Sequence, residues 1–350
     1  MRIFLTGSTG FIGQALVRAM RRREWAVVTL VRDQNGAPAQ WLARQGCAVV
    51  AGDVTRPRGL AQAMAGADAV VHNAGVYELG ADAKARVRMQ EVNVAGTDNV
   101  LGAASEAGIP RTVYVSTVWA LGASGYPPEP ALAKDETQRH SGRYLSPYER
   151  TKADAHQAAL AWRQKGLPLI IGMPNAVVGA NDHAALGYFL RLYLLGAMPP
   201  VAWGGDTVFS MVDVDALAEG LCLATANANI GQDYVFAGEP LALRAVFEIW
   251  RRYPGGMAPR LFLPRSVMYW QAAMMEPLLR GLGLPAFLSR DAVEVTRAHL
   301  NYDAAKARRD LGWSHPGADE MWDGIIRRER ELMAQQRGFL AKLRHQPVPS

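Results

Sequence analysis

The sequence predicts an α/β protein: a doubly wound parallel sheet with helices on both faces, followed by a smaller, mainly helical C-terminal region. Three observations predict it. Strand-like and helix-like segments alternate through the first half of the chain. The strand segments are apolar throughout, as in a sheet covered on both faces. The first strand runs directly into a three-glycine turn and a helix, Arg2-Ile3-Phe4-Leu5-Thr6-Gly7-Ser8-Thr9-Gly10-Phe11-Ile12-Gly13.

The elements follow in order. Residues 3–5 form the first strand, and Leu16, Val17 and Met20 mark the buried side of the first helix. Further strands are expected at 26–31, 48–51, 69–71, 112–115 and 169–171, with a short helix starting near Leu60. A helix is expected over 82–107, with Val87, Val92, Val94, Val100 and Leu101 buried. Residues 122–147 are rich in proline and polar side chains and predict a long loop over the site. A helix then runs from Tyr148 to Lys165, stopped by Gly166 and Pro168. Residues 241–300 should be mostly helical, and 324–343 a charged amphipathic helix. The dinucleotide-type sheet domain is set at 1–172 with contributions from about 206–240, and the C-terminal region at 173–350. Ligands on such sheets sit beyond the strand C-terminal ends.

Composition narrows the function. The chain has 350 residues, 49% of them hydrophobic, and a formal charge of +6 spread along its length. That mild excess suits an anionic cofactor or substrate better than a nucleic acid. Cys47 and Cys222 are the only cysteines, so neither a disulfide framework nor metal-ligand spacing is present. A reducing cytoplasm is expected, with no membrane span and no metal. Expected partners are a small-molecule substrate and, as an open alternative, a second copy of the chain in a homodimer.

Two constellations carry chemistry. Gly7 allows a tight turn, Gly10 lets backbone approach a phosphate, and Gly13 lets the helix pack closely. The helix N-terminus then presents free N–H groups to an anion. Tyr148 and Lys152, at i and i+4, share a helix face. A phenol with a free pKa of ~10 needs help to exchange protons near neutrality, and an adjacent ammonium favours its anion. Ser116 or Thr117, at a strand end, offers a hydroxyl for the same carbonyl oxygen. His72 is read as a packed histidine.

These motifs come in the order found in the short-chain dehydrogenase/reductase superfamily. The T-G-x-x-G-F-I-G form and the chain length resemble its extended branch, the NAD(P)-dependent epimerase/dehydratase family. Gly52-Asp53-Val54, Asn93-Val94-Ala95-Gly96-Thr97, Phe209-Ser210-Met211-Val212-Asp213-Val214-Asp215 and Lys306-Ala307-Arg308-Arg309-Asp310-Leu311-Gly312-Trp313 match further family segments. The resemblance implies a Rossmann fold, with Tyr148 as general acid/base and Lys152 as its partner. It favours Thr117 over Ser116 for the carbonyl oxygen and gives Asn93 a bracing role. The implied cofactor contacts are Gly7, Thr9, Gly10, Phe11, Ile12, Arg32, Asp53, Val54, Asn73, Ala74, Gly75, Ser116, Tyr148, Lys152, Pro174 and Asn175.

Two departures refine this. NAD-binding members carry an acidic residue at the end of the second strand. Here Val31-Arg32-Asp33 stands instead and resembles the dihydroflavonol reductase branch, which implies NADP(H), with Asp33 as the competing ribose ligand. Gly172-Met173-Pro174-Asn175-Ala176-Val177-Val178-Gly179 lacks the arginine and phenylalanine of sugar-nucleotide epimerases and looks closer to reductases and hopanoid-associated "sugar epimerases". Trp203, Phe209, Phe262, Met268, Tyr269, Trp270, Met274 and Met275 are candidates to line an apolar substrate pocket, while Arg191, Arg260 and Arg297 suit a nucleotide sugar. Three readings stay open: an NADP(H)-dependent oxidoreductase of an apolar carbonyl compound or alcohol, a nucleotide-sugar epimerase/dehydratase with tightly held cofactor, and a non-catalytic NADP sensor.

Overall fold

The computed structural model describes residues 1–282, 288–336 and 338–344. Seven strands make the central sheet: β1 Arg2–Thr6, β2 Ala26–Val31, β3 Ala48–Ala51, β4 Ala69–His72, β5 Thr112–Val115, β6 Leu169–Pro174 and β7 Asp233–Phe236. Their order is β7-β6-β5-β4-β1-β2-β3, and every neighbouring pair is parallel. Order reverses between β1 and β4, where Thr6 and His72 are in register. A crevice opens beyond the strand ends at such a switch point. Ile3, Phe4 and Leu5 are fully buried, as are Val70, Val71, Ile170 and Ile171. Continuous burial of this kind explains the unbroken apolar runs.

Helices α1 Phe11–Arg22, α2 Ala37–Arg44, α3 Leu60–Met64, α4 Ala83–Met89, α5 Gly96–Glu106 and α6 Pro147–Gln164 cover the two faces. The helix expected over 82–107 is present from Ala83 to Glu106, but it is not α-helical throughout. A π turn at Gln90–Ala95 separates α4 from α5. Val87 is 58% exposed rather than buried, because α4 leaves the sheet before the turn. Val100 and Leu101 are buried as expected, whereas Val92 and Val94 are half-buried.

Beyond β6 come α7 Ala185–Leu194, α8 Val214–Asn227, α9 Leu243–Trp250, α10 Arg265–Gly281, α11 Arg290–Val295, α12 Ala305–Leu311 and α13 Ala318–Ala334. The expected 324–343 helix starts earlier, at Ala318, and ends at Ala334. A separate short helix occupies Phe339–Arg344. Residues 283–287, within the stretch expected to be mostly helical, and residues 345–350 lie outside the described residues. Asp213, in the Phe209–Asp215 segment, caps α8 by accepting from the Asp215 and Ala216 amides. The Lys306–Trp313 motif fastens the chain to β7. Lys306 Nζ donates to the Asp233 carbonyl at 2.8 Å, and the Trp313 ring meets Phe236 edge-on.

Candidate active site

Apart from the competing candidate Asp33, the residues nominated above for catalysis and cofactor contact line one cleft of about 740 Å³ at the switch point. At its base the glycine turn is held by close contacts. Gly7 has φ +71°, and a Cβ there would lie 2.6 Å from the Ala74 amide nitrogen. A Cβ on Gly13 would lie 2.0 Å from the Gly7 carbonyl oxygen, so any side chain would break the turn. Gly10 differs: the nearest atom to its virtual Cβ is 3.5 Å away. Gly10 therefore meets the cleft, and α1 begins there without a side-chain cap. Open N–H groups at an uncapped helix start suit a diphosphate.

A buried chain of hydrogen bonds supports this turn from behind. Thr97 donates its hydroxyl proton to the Asn93 carbonyl at 2.6 Å, so it must accept from His72 Nε2–H at 3.1 Å. His72 Nδ1 then accepts from the Thr6 hydroxyl at 2.7 Å, and Thr6 Oγ1 accepts from the Ala74 amide. Burial, and then the Lys152 charge, lower the His72 pKa to about 3, which keeps the ring neutral for this role. Asn93, within the π turn, bonds both the N–H and the C=O of Val76 and donates to Thr151 Oγ1. It braces the helix bend against α6.

Lys152 is buried beneath the cleft. Its Nζ donates to the Val115 carbonyl at 3.2 Å and to the Tyr114 hydroxyl at 3.4 Å. Burial lowers its pKa. Tyr148 shows the opposite balance from the sequence expectation. Burial raises the phenol pKa and outweighs the lowering by Lys152. Thr117 lies close enough to draw that pKa down a little, though no hydrogen bond of standard geometry joins the two groups. Thr117 Oγ1 accepts from the Trp119 amide at 3.3 Å, which leaves its O–H to donate. Ser116 is engaged elsewhere, at 3.0 Å from His156 Nδ1.

At the end of β2, Arg32 is exposed on the cleft and has no ion-pair or hydrogen-bond partner among the described residues. Asp33 turns away into its own loop, accepting from the Asn35 amide at 2.9 Å, and does not line the cleft. Asp53 lines the cleft while accepting from the Thr55 amide and hydroxyl, both at 2.9 Å. Pro174 and Asn175 line it too, but the Asn175 amide group is spent on structure. It donates to the Leu300 carbonyl and accepts from the Ala176 amide.

The other half of the cleft is apolar, with Leu186, Phe189, Trp203, Phe209, Phe247 and Ala292 on its walls. Of the eight apolar candidates from the sequence, only Trp203 and Phe209 line it. Met268 packs beside Trp203 in a separate small core, and Trp270 and Met274 face outward. Of the three candidate arginines none reaches the cleft. Arg191 is buried against Glu329, and Arg297 pairs with Glu294 at 2.7 Å. The sequence reading missed Tyr77, whose ring stands edge-on to Tyr148 at 4.7 Å and 87°. It also missed Asp182, His183 and Arg88, which line the cleft, and Tyr114 under Lys152.

Asp182 belongs to a wall hung on the far end of the chain. Asn181, at φ +64°, donates its amide to Glu329 Oε2 at 2.5 Å. Glu329 in turn accepts from Arg191 at 3.2 Å, and Arg191 Nε donates to the Leu343 carbonyl at 2.9 Å. Asp182 then accepts from the Ala184 amide at the start of α7. Burial raises its pKa to about 6.

Comparison with known proteins agrees with this architecture. The model of the NAD dependent epimerase/dehydratase family matches residues 3–237. A Synechocystis sp. protein bearing a dihydroflavonol 4-reductase name is 30% identical over 88% of this chain and 89% of its own. The 2-alkyl-3-oxoalkanoate reductase of Stenotrophomonas maltophilia is 32% identical over 89% of this chain and 94% of its own. The crystal structure of gox2253 superposes with a TM-score of 0.78 at 30% identity, covering 94% of this chain and 98% of that one. Sequence motifs, sheet order and relatives agree: the chain belongs to the NAD dependent epimerase/dehydratase family.

Proposed function

We propose that the protein is an NADP(H)-dependent oxidoreductase that reduces the carbonyl of a small, largely apolar compound or oxidises the corresponding alcohol. The observation that supports this reading is the mixed lining of one cleft. Tyr148, Thr117 and Lys152 share it with the glycine turn, with Arg32, which has no partner among the described residues, and with a set of apolar side chains. The residues fit a dinucleotide phosphate. The Gly10 face is open, α1 starts uncapped, and Arg32 is free for a 2′-phosphate while Asp33 is not placed to take a ribose hydroxyl.

When bound, the cofactor supplies or accepts the hydride. This chain's residues handle the oxygen and its proton. Burial keeps the Tyr148 phenol protonated at neutral pH, the state that can give a proton to an oxygen gaining charge. The Thr117 hydroxyl is free to donate to the same oxygen. Lys152, held by the Val115 carbonyl, places its charge under the phenol and stabilises the phenolate left behind. The apolar walls exclude water. The relative named 2-alkyl-3-oxoalkanoate reductase, a name that states a 3-oxo substrate, supports this direction.

Arg88 favours the second reading, a nucleotide-sugar epimerase. It is exposed, lines the cleft and has no ion-pair partner among the described residues, so it suits a phosphate. The test separates the two. The protein is purified without added cofactor and denatured, and the supernatant is assayed for dinucleotide. The native protein is then screened for NADPH oxidation with apolar ketones. The reductase reading expects exchangeable NADP and NADPH turnover. Stoichiometric retained NAD with no NADPH oxidation on any ketone would overturn it.

A further inference from the structure

The Met- and Trp-rich stretch that does not line the cleft has its own pattern. On α10, Val267, Trp270, Met274 and Leu278 recur at intervals of 3, 4 and 4 residues and all face outward. Trp270 is 66% exposed and Met274 58%. Ser266, Ala273, Pro277 and Gly281 complete the exposed face, which carries no charge among the described side chains. Surface helices normally put charged residues there. The charges that follow Arg265 on this helix, Glu276 and Arg280, bond each other at 3.1 Å, and Arg280 also reaches the Gly80 carbonyl. Both are spent within the protein. Just before the helix, Met257 and Leu261 are 70% and 60% exposed. Six of the thirteen exposed large hydrophobics among the described residues thus fall within 257–278, and a lone exposed apolar residue needs no explanation but a cluster does.

Two exposed arginines flank this patch, Arg260 beside Leu261 and Arg290 at the start of α11, which packs on α10. Neither has a salt-bridge partner among the described residues. An uncharged helix face about 22 Å long, bordered by free cations on a chain of net charge +6, matches an anionic lipid surface. The described exposed side chains of this helix face include no acid that a second copy could offer to those arginines. Gln271, on the same helix, lines the cleft. We propose that the outer face of α10 is a membrane-surface docking site, by which the protein lies peripherally on an anionic bilayer with its cleft beside the lipid.

The test uses the full chain with vesicles of phosphatidylcholine alone and of phosphatidylcholine mixed with phosphatidylglycerol. Wild type should co-sediment with the mixed vesicles, and its tryptophan emission should shift to the blue. The double variant Trp270→Glu with Met274→Glu changes only exposed positions, so its circular dichroism and melting should match wild type. Its vesicle partitioning should fall by at least ~10-fold. Arg260→Glu with Arg290→Glu should remove the preference for the anionic mixture. Wild type that stays in the supernatant with both vesicle types overturns the proposal. So does unchanged binding of the Trp270/Met274 variant. A concentration-dependent dimer that this variant abolishes, without any vesicle binding, would assign the face to a second copy instead.

Discussion

At the residue scale, the proposal gives the Tyr148 phenol one task that a phenylalanine ring cannot perform, exchanging a proton with the substrate oxygen. Tyr148→Phe should therefore keep the fold and cofactor affinity while kcat drops by at least ~10²-fold. Steady-state kinetics with a ketone from the screen measures this, and near-normal kcat rules out the assignment. Arg32 makes a sharper test because Asp33 is already turned away. A charged hydrogen bond is worth ~1.5–3 kcal/mol, or roughly 10–150-fold in affinity. Arg32→Ala should weaken NADP binding by that factor and leave NAD binding nearly unchanged in calorimetric titrations. Most of these residues were legible because the motif places them at strand ends. Tyr77, Asp182 and Arg88 were not. Tyr77 and Asp182 sit in loops and Arg88 in α4, all placed by packing, and nothing in the local sequence distinguishes them from ordinary loop and helix residues.

At the element scale, the π turn at Gln90–Ala95 explains why a single helix was expected over 82–107. Its residues have good helical pattern, and only the three hydrogen bonds of Asn93 show that the helix widens there. Widening brings that side chain against the Val76 backbone, and it turns α4 so that Val87 meets solvent. Asn93→Ala would leave the N–H and C=O of Val76 without partners. The expected loss is about 2–4 kcal/mol, since an unsatisfied buried group costs ~1–3 kcal/mol. Urea unfolding followed by circular dichroism checks it; a change under ~0.5 kcal/mol would mean that water replaces the amide. The glycine turn and sheet strands were legible for the opposite reason. Steric demand at Gly7 and Gly13 and two-sided burial leave few sequences that fit.

At the scale of the whole molecule, the cleft wall at 181–186 depends on residues more than a hundred positions away. Asp182 has a pKa raised to about 6 by burial, against an ordinary carboxylate value of 3.8. The folded state holds this proton more tightly than the unfolded chain, so stability falls as pH rises from about 4 through 6 and stays lower above. Asp182→Asn keeps an oxygen for the Ala184 amide and removes the buried charge. The variant should be more stable than wild type at pH 7–8, by up to ~3 kcal/mol, with little difference near pH 4. Denaturant titrations at both pH values decide it, and equal stability at pH 7.5 would place the charge in a better-solvated setting than the burial implies. None of this was legible in the sequence. Arg191 read as a phosphate ligand because its burial against Glu329 requires α7 and α13 to be brought together.

The link from Asn181 through Glu329 and Arg191 to the Leu343 carbonyl has an evolutionary consequence. The glycine-turn half of the cleft is lined by residues between Gly7 and Asn175, whereas the wall at 181–186 is anchored to helices near the end. Changes in the last two helices can reshape which compounds enter without disturbing the hydride chemistry. Substrate range can therefore drift while cofactor use stays fixed, so relatives sharing the whole first half of this sequence are free to differ in what they transform.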